Sequence, residues 1–229
     1  MSNIIEVKNL YKEYDNGLIS ALKDINLTLQ EGKIYALIGA SGCGKSTLLN
    51  LIGGLDSPTK GSVLYYGKAL DEVGNLDLFR RDFIGYVFQF HHLIPVLTLS
   101  ENVQSALLSD KSISNIQRKE RASSLLKEMG LEFRLDSFAS EVSGGERQRG
   151  AIARALVNNP KVILADEPTG NVDSKTAQLI LAKLQKYLKQ SAKCILIATH
   201  DMNVAAIADT IIEMKDAKIV SVTENLSKF

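Results

Sequence analysis

The stretch Gly39-Ala-Ser-Gly-Cys-Gly-Lys-Ser46 constrains this chain more than any other. It fits G-x-x-x-x-G-K-[ST], and average residue frequencies make a chance match in 229 residues on the order of one in a hundred. KIYALIG (Lys33 to Gly39) leads into it, almost wholly apolar, as a strand buried on both faces is. A helix leads out, from Lys45 to about Asn50 or Ile52, stopped by Gly53-Gly54. Glycines at this spacing let backbone N–H groups curl around phosphate oxygens, and the helix start adds positive potential. Lys45 can then reach the β- and γ-phosphates of a nucleotide, and the Ser46 hydroxyl can ligate Mg²⁺.

The surrounding pattern is α/β. In the first thirty residues Ile5 and Val7 share one face, and Ile25, Leu27 and Leu29 another, which predicts half-buried antiparallel strands. GSVLYYGKAL (Gly61 to Leu70) reads as a short hairpin, and IGYVF (Ile84 to Phe88) as a strand. Residues from about 91 to 158 carry helical patterns such as Ile116 to Gly130 and few strand signals, so they read as a helical insert. KVILAD (Lys161 to Asp166), a helix from about Ser174 to Lys189 and KCILIAT (Lys193 to Thr199) restore the alternation of strand and helix. Short strands near Ile211 to Met214 and Ile219 to Val222 finish the chain. Buried strands alternating with helices predict a parallel sheet. The expected architecture is one domain, 1–229, with its core in 1–90 and 159–229 and a helical subdomain in about 91–158.

Two further segments carry chemistry. Val162-Ile-Leu-Ala-Asp166-Glu167 ends a buried strand in two carboxylates. Asp166 can be aimed at Mg²⁺, and Glu167 can act as general base on an attacking water. Ser143-Gly-Gly-Glu-Arg-Gln-Arg149 opens an apolar-periodic helix with Ile152, Ala155 and Leu156 on its inner side. A serine and two glycines at a helix start offer a second anion site, or simply an N-cap.

With these residues the chain resembles the ATP-binding-cassette (ABC) transporter ATPases over essentially its full length. That resemblance implies a P-loop NTPase (RecA-like) core with an N-terminal antiparallel β portion and an inserted α-helical subdomain. Gly39, Ser41, Gly42, Cys43, Gly44, Lys45, Ser46 and Thr47 fall in the Walker A loop. Asp166 and Glu167 fall in Walker B. Val142-Ser143-Gly144-Gly145-Glu146 is similar to the ABC signature Leu-Ser-Gly-Gly-Gln. Gln89 matches the Q-loop, Gly170-Asn-Val-Asp173 the D-loop, and His200 the switch histidine. The implied roles are catalysis by Glu167, His200 and Gln89, and Mg²⁺ ligation by Ser46, Gln89 and Asp166. Adenine would stack on Tyr14, with Tyr11 the competing ring. Family members pair head to tail, so each ATP would lie between one copy's Lys45 loop and the other's Ser143, Gly144 and Gly145, with Asp173 acting across the interface.

Departures from the family pattern are modest: Val142 for leucine, Glu146 for glutamine, and Val172 for the D-loop leucine. Glu146 is expected to be tolerated, because a helix start favours an anion. Lys215-Asp-Ala-Lys218 replaces a usual Asp-Gly turn. Ala217 at positive φ would cost about 1 kcal/mol, so a turn of another type is expected there.

The run Arg80 to Val103 around Gln89, with Ala165 to Asp173, resembles the lipoprotein-release and macrolide-export (LolD- and MacB-like) subgroup. That resemblance implies a polytopic membrane permease partner and an amphipathic substrate: a lipoprotein, a peptide or a macrolide-like molecule. Peptide-resistance exporters and the cell-division ATPase share much of the pattern, so a nucleotide-dependent switch without transport is the alternative. The apolar loop around LIPVL, Phe90 to Thr98, is expected to be the partner contact, through Leu93 and Leu97.

Composition sets the remaining limits. Lys plus Arg number 27 and Asp plus Glu 26, which does not indicate a nucleic-acid partner. No apolar run approaches the roughly 18 residues of a span, so a cytoplasmic protein held peripherally by its permease is expected. Two cysteines, Cys43 and Cys194, make no disulfide framework; both sit in segments that read as interior and are expected to be reduced. In the phosphate loop Cys43 is expected to carry thiolate character and to be open to maleimide. His91 and His92 lack metal spacing and read as loop histidines.

Overall fold

The computed structural model describes residues 2–170 and 172–225. Asn171, expected in the D-loop, lies outside the described residues. The N-terminal strands β1 (Asn3–Tyr14) and β2 (Ile19–Gln30) pair antiparallel, and β1 also pairs with β4 (Lys60–Tyr65), which turns back into β5 (Lys68–Ala69). Period-two burial explains them: Ile5 and Val7 of β1, with Ile25, Leu27 and Leu29 of β2, all point inward.

The second sheet runs β10-β9-β3-β8-β7-β6. Its members are β3 (Lys33–Ile38), β6 (Ile84–Val87), β7 (Val162–Asp166), β8 (Cys194–Thr199), β9 (Thr210–Lys215) and β10 (Lys218–Glu224). All neighbours are parallel except the final β9–β10 pair. Strands β7 and β8 are buried at every position, which is why their sequences are continuous apolar runs.

Helix α1 (Lys45–Ile52) follows β3 directly. Helix α2 (Leu76–Phe83) has no counterpart in the sequence reading, although Leu76, Phe79 and Phe83 have helical spacing and Asn75 caps it by accepting from the Leu78 amide at 2.9 Å. Its Phe79 and Phe83 rings meet Tyr65 edge-on, with centroids 5.0 and 5.4 Å apart.

Helices α3 (Leu99–Ser105), α4 (Asn115–Glu128) and α5 (Gly144–Leu156) occupy the segment read as an insert. Their Leu99, Leu126 and Ile152 share one continuous core with Val87, Ile163 and Ile197 of the sheet. On α5, Ile152 and Leu156 are buried as expected, while Ala155 is only partly buried. Helix α6 (Ser174–Gln190) packs on the sheet through Ile180 and Leu184, and the short α7 (Met202–Ala205) follows β8.

One expectation fails at the β9–β10 turn. Asp216 and Ala217 have φ of 49° and 67°. Both are left-handed, as in the type I′ hairpin turn that matches strand twist. The Ala217 carbonyl accepts from the Lys23 amide at 2.8 Å, and Ala217 is buried, so surrounding structure holds the alanine in place. Ala217→Gly therefore relieves strain. It should stabilise the protein by about 0.5–1 kcal/mol, seen as a higher urea midpoint at unchanged slope.

Candidate active site

Parallel pairing brings strand ends together. Ile38 of β3 lies opposite Thr199 of β8, Asp166 of β7 opposite Ala198, and Val87 of β6 opposite Ala165. Residues 39, 89, 167 and 200 therefore emerge at one edge, the carboxyl ends of the strands. Between them lies a cavity of about 580 Å³.

The loop Gly39 to Gly44 borders it, with Ser41, Gly42 and Gly44 in its wall. A Cβ on Gly39 would collide with the Met214 carbonyl of β9. Gly44, at φ 107°, would place a Cβ 2.6 Å from the Ala21 carbonyl oxygen. Both glycines are required by close approach, so the backbone itself forms the wall. The first-turn amides of α1 have no acceptor within the helix and face an anion site. The Lys45 ammonium is nearly buried and donates to the Gly39 and Ala40 carbonyls at 2.7 and 3.0 Å. Ser41, Gly42, Ser46 and Thr47 also line the cavity.

The opposite wall carries the acids. Asp166 is 9% exposed. Burial pushes its carboxyl above the ordinary carboxylate value and neighbouring Glu167 adds to this, while the Ser46 hydroxyl bonded to it and the Lys45 charge oppose the rise. Glu167 has φ of 45°, a left-handed backbone costing on the order of 1–3 kcal/mol in a non-glycine residue. Its amide donates to the Ala198 carbonyl at 2.9 Å, which fixes that turn. Its carboxylate accepts from Thr199 Oγ1 at 3.3 Å and sits 2.7 Å from His200 Nδ1. Gln89 is exposed and faces the same cavity.

Other expected site residues lie elsewhere. Gly39 and Cys43 belong to the loop but do not line the cavity. The Cys43 sulfur turns inward, only 7% exposed, packed in the apolar cluster beneath the loop and 3.9 Å from Lys45 Nζ. That corrects the expectation of an accessible thiol. Tyr14 is outside the cavity lining, but its hydroxyl lies close to Thr47, which is part of it. Ser143 caps α5, and Glu146 returns the bond: its amide donates to Ser143 Oγ at 3.3 Å and its carboxylate accepts from the Ser143 amide at 2.8 Å. Glu146 also pairs with Arg134 at 2.9 Å. The Ser143 backbone bond, with Arg134, holds its carboxyl below the ordinary range. Asp173 caps α6, accepting from the Lys175 and Thr176 amides at 3.0 Å each. A Cβ on Gly145 would lie 3.6 Å from Thr176 Cγ2, so these two helix starts sit side by side, away from the cavity.

In the loop after Gln89 the expectation is half met. Phe90, Ile94 and Val96 are 70%, 45% and 77% exposed. Leu93 instead packs against the core beside Gly150 and Leu99. Arg154 of α5 holds the loop through the His91 and His92 carbonyls, and both histidines have left-handed φ. Sequence reasoning missed Ile19, Ser20 and Ala21, which line the cavity because the β1–β2 turn folds over the loop. It also missed Thr199 as a partner of Glu167, although Thr199 directly precedes His200 at a strand end.

A strand-end cleft with a glycine loop, a buried lysine and paired acids is the site of a nucleotide-hydrolysing protein. The family model described as ABC transporter matches residues 22–170, and the chain belongs to that family: it is an ABC transporter ATP-binding subunit and an ATPase. It is 44% identical over 213 residues to the lipoprotein-releasing system ATP-binding protein LolD of Psychrobacter arcticus, covering 91% of this chain and 94% of that one. It is 44% identical over 223 residues to the uncharacterised ABC transporter ATP-binding protein MJ0796 of Methanocaldococcus jannaschii, covering 94% and 95%. The dimeric structure of a post-hydrolysis state of MJ0796 bound to ADP and Pi has a TM-score of 0.91 at 41% identity, covering 97% of this chain and 99% of that one.

Both sulfurs are buried, Cys43 under the loop and Cys194 in β8, where burial lifts the thiol pKa far above its usual value. A thiol titration of the folded protein should therefore find neither cysteine reacting promptly, and guanidinium should expose both.

Proposed function

We propose that this ATPase binds Mg-ATP in the strand-end cleft, pairs head to tail with a second copy, and drives a membrane permease acting on an amphipathic substrate. The observation carrying the first part is the convergence of Lys45, Ser46, Gln89, Asp166, Glu167 and His200 on one cavity. The Ser46 hydroxyl and the buried Asp166 carboxylate form an all-oxygen set suited to a hard cation, with Gln89 as a further oxygen donor. Bound there, Mg²⁺ supplies charge neutralisation for the phosphates.

The chain's own groups do the rest. Loop amides and Lys45 orient the β- and γ-phosphates. Glu167 takes a proton from the attacking water, and His200 and Thr199 fix which way its carboxylate points. The 2.7 Å contact keeps the histidine beside the base.

The second anion site at Ser143, Gly144 and Gly145 lies away from the cavity, beside the Asp173 cap. A head-to-tail dimer gives it a nucleotide to contact, and the dimeric MJ0796 structures support pairing of two copies. The LolD relatives support a permease and lipoprotein-like cargo. Among the described residues no helix is long and apolar enough to cross a membrane, so the permease would supply the membrane attachment at the cytoplasmic face.

Glu167→Gln keeps the shape and removes the base. ATP binding should persist, hydrolysis should fall by roughly a hundredfold or more, and an ATP-bound dimer should accumulate on size exclusion. Adding Ser143→Arg should dissolve that dimer while ATP binding remains. A Glu167→Gln protein hydrolysing at the wild-type rate would overturn the role of the base, and one that stays monomeric with ATP would overturn the shared site.

The exposed Phe90, Ile94 and Val96 make the partner contact. Phe90→Ser with Val96→Ser should leave ATP affinity unchanged and lower co-purification with the permease. Leu93→Ser, by contrast, should cost fold stability, because that side chain packs inward.

A further inference from the structure

Tyr14 ends β1 at an exposed corner, with 36% of its surface open, yet its ring is not free to turn. Its hydroxyl donates to Asp56 Oδ2 at 2.8 Å. The other oxygen, Oδ1, accepts from Lys12 Nζ at 2.7 Å and from the Ser57 amide at 2.7 Å. Lys12 also donates to the Ser57 carbonyl at 2.8 Å, and its ammonium lies 4.8 Å from the centroid of the Tyr14 ring. The lysine side chain is only 12% exposed, so this is not a loose surface pair. Burial works to raise the Asp56 carboxyl's pKa, but the bonds from Lys12, Tyr14 and Ser57 outweigh it and hold the group below the ordinary carboxylate value.

We propose that Lys12 and Asp56 are positioning residues for nucleotide binding: Asp56 pins the Tyr14 hydroxyl, Lys12 closes one face of the ring, and the opposite face is left as a fixed platform for the base. The proposal rests on the reading of Tyr14 as the base-stacking ring. The platform lies near the phosphate site, because Thr47, on the first turn of α1 and in the cavity wall, is close enough to influence the Tyr14 hydroxyl. A ring clamped at its hydroxyl and on one face loses little freedom when a base stacks on it, which strengthens binding without a new contact. A cation over the ring interacts with its π-face as well as blocking it.

The test compares magnesium ATP with magnesium tripolyphosphate, which has the phosphates but no base. Asp56→Ala removes the clamp but leaves the ring, so it should lose only part of the stacking and weaken ATP binding roughly three- to tenfold. Tripolyphosphate affinity and kcat at saturating ATP should stay at wild-type values. Asp56→Asn keeps an acceptor for Tyr14 and should fall between the two, and Lys12→Met should weaken ATP selectively. Equal weakening of ATP and tripolyphosphate by Asp56→Ala would mean a general disturbance of the loop and would overturn the proposal, as would unchanged ATP affinity. Tyr14→Ala separates the two levels. If it weakens ATP selectively while Asp56→Ala changes nothing, the clamp alone falls; if Tyr14→Ala leaves ATP affinity intact, the stacking reading falls with it.

Discussion

The parallel ladder from Lys33 opposite Cys194 to Ile38 opposite Thr199, continued by β7 and β6, sets where all the chemistry happens. Each of these strands delivers the residues just past its end to the same edge of the sheet: a glycine loop from β3, an acid from β7, a histidine from β8 and a glutamine from β6. Buried strands admit no register slip without moving apolar side chains out of the core, so the relative heights of Lys45, Asp166, Glu167, Gln89 and His200 are fixed by packing. The left-handed backbone of Glu167 is the strain this arrangement tolerates, held by the Ala198 carbonyl and the two side chains on its carboxylate.

Around that edge, charges are held by short-range bonds rather than by long ones. Lys45 is kept at the mouth of the loop by two carbonyls, poised for an incoming anion instead of collapsed onto Asp166. Asp166 carries a burial cost that a cation in the cleft would remove. The helix starts of α5 and α6 solve a different problem. Ser143 with Glu146, and Asp173 with Lys175 and Thr176, satisfy part of each first turn internally, and both segments face away from the cavity. Glu146 is half of a capping box, a role glutamine also fills, and its charge pairs with Arg134, which gives glutamate rather than glutamine a structural reason there.

The loop from Phe90 to Thr98 shows how one segment divides its roles. Leu93 anchors it to α5, Arg154 grips the His91 and His92 carbonyls, and Phe90, Ile94 and Val96 face outward, while Leu97 is half-buried. With Leu93 inward and Phe90, Ile94 and Val96 outward, the loop follows neither the strand nor the helix period, so pattern alone could not assign it.

What the sequence determined by itself was the set of chemical groups and their order. A glycine loop between a buried strand and a helix, two acids at a strand end and a serine–glycine helix start are local features, each legible because backbone geometry demands those residue types at those spacings. Most strands were legible too, since burial on one or both faces writes period-two or continuous apolar patterns. Tertiary structure decided what local pattern cannot carry. It turned Cys43 away from the cavity and into the core, laid Ile19 to Ala21 across the loop, kept Ala217 in a left-handed turn because the hairpin twist and the Lys23 amide require it, and tied Tyr14 to Asp56 across 42 residues of chain. Each depends on which surfaces meet after the sheets pack, and contacts between distant segments leave no periodic trace in either one.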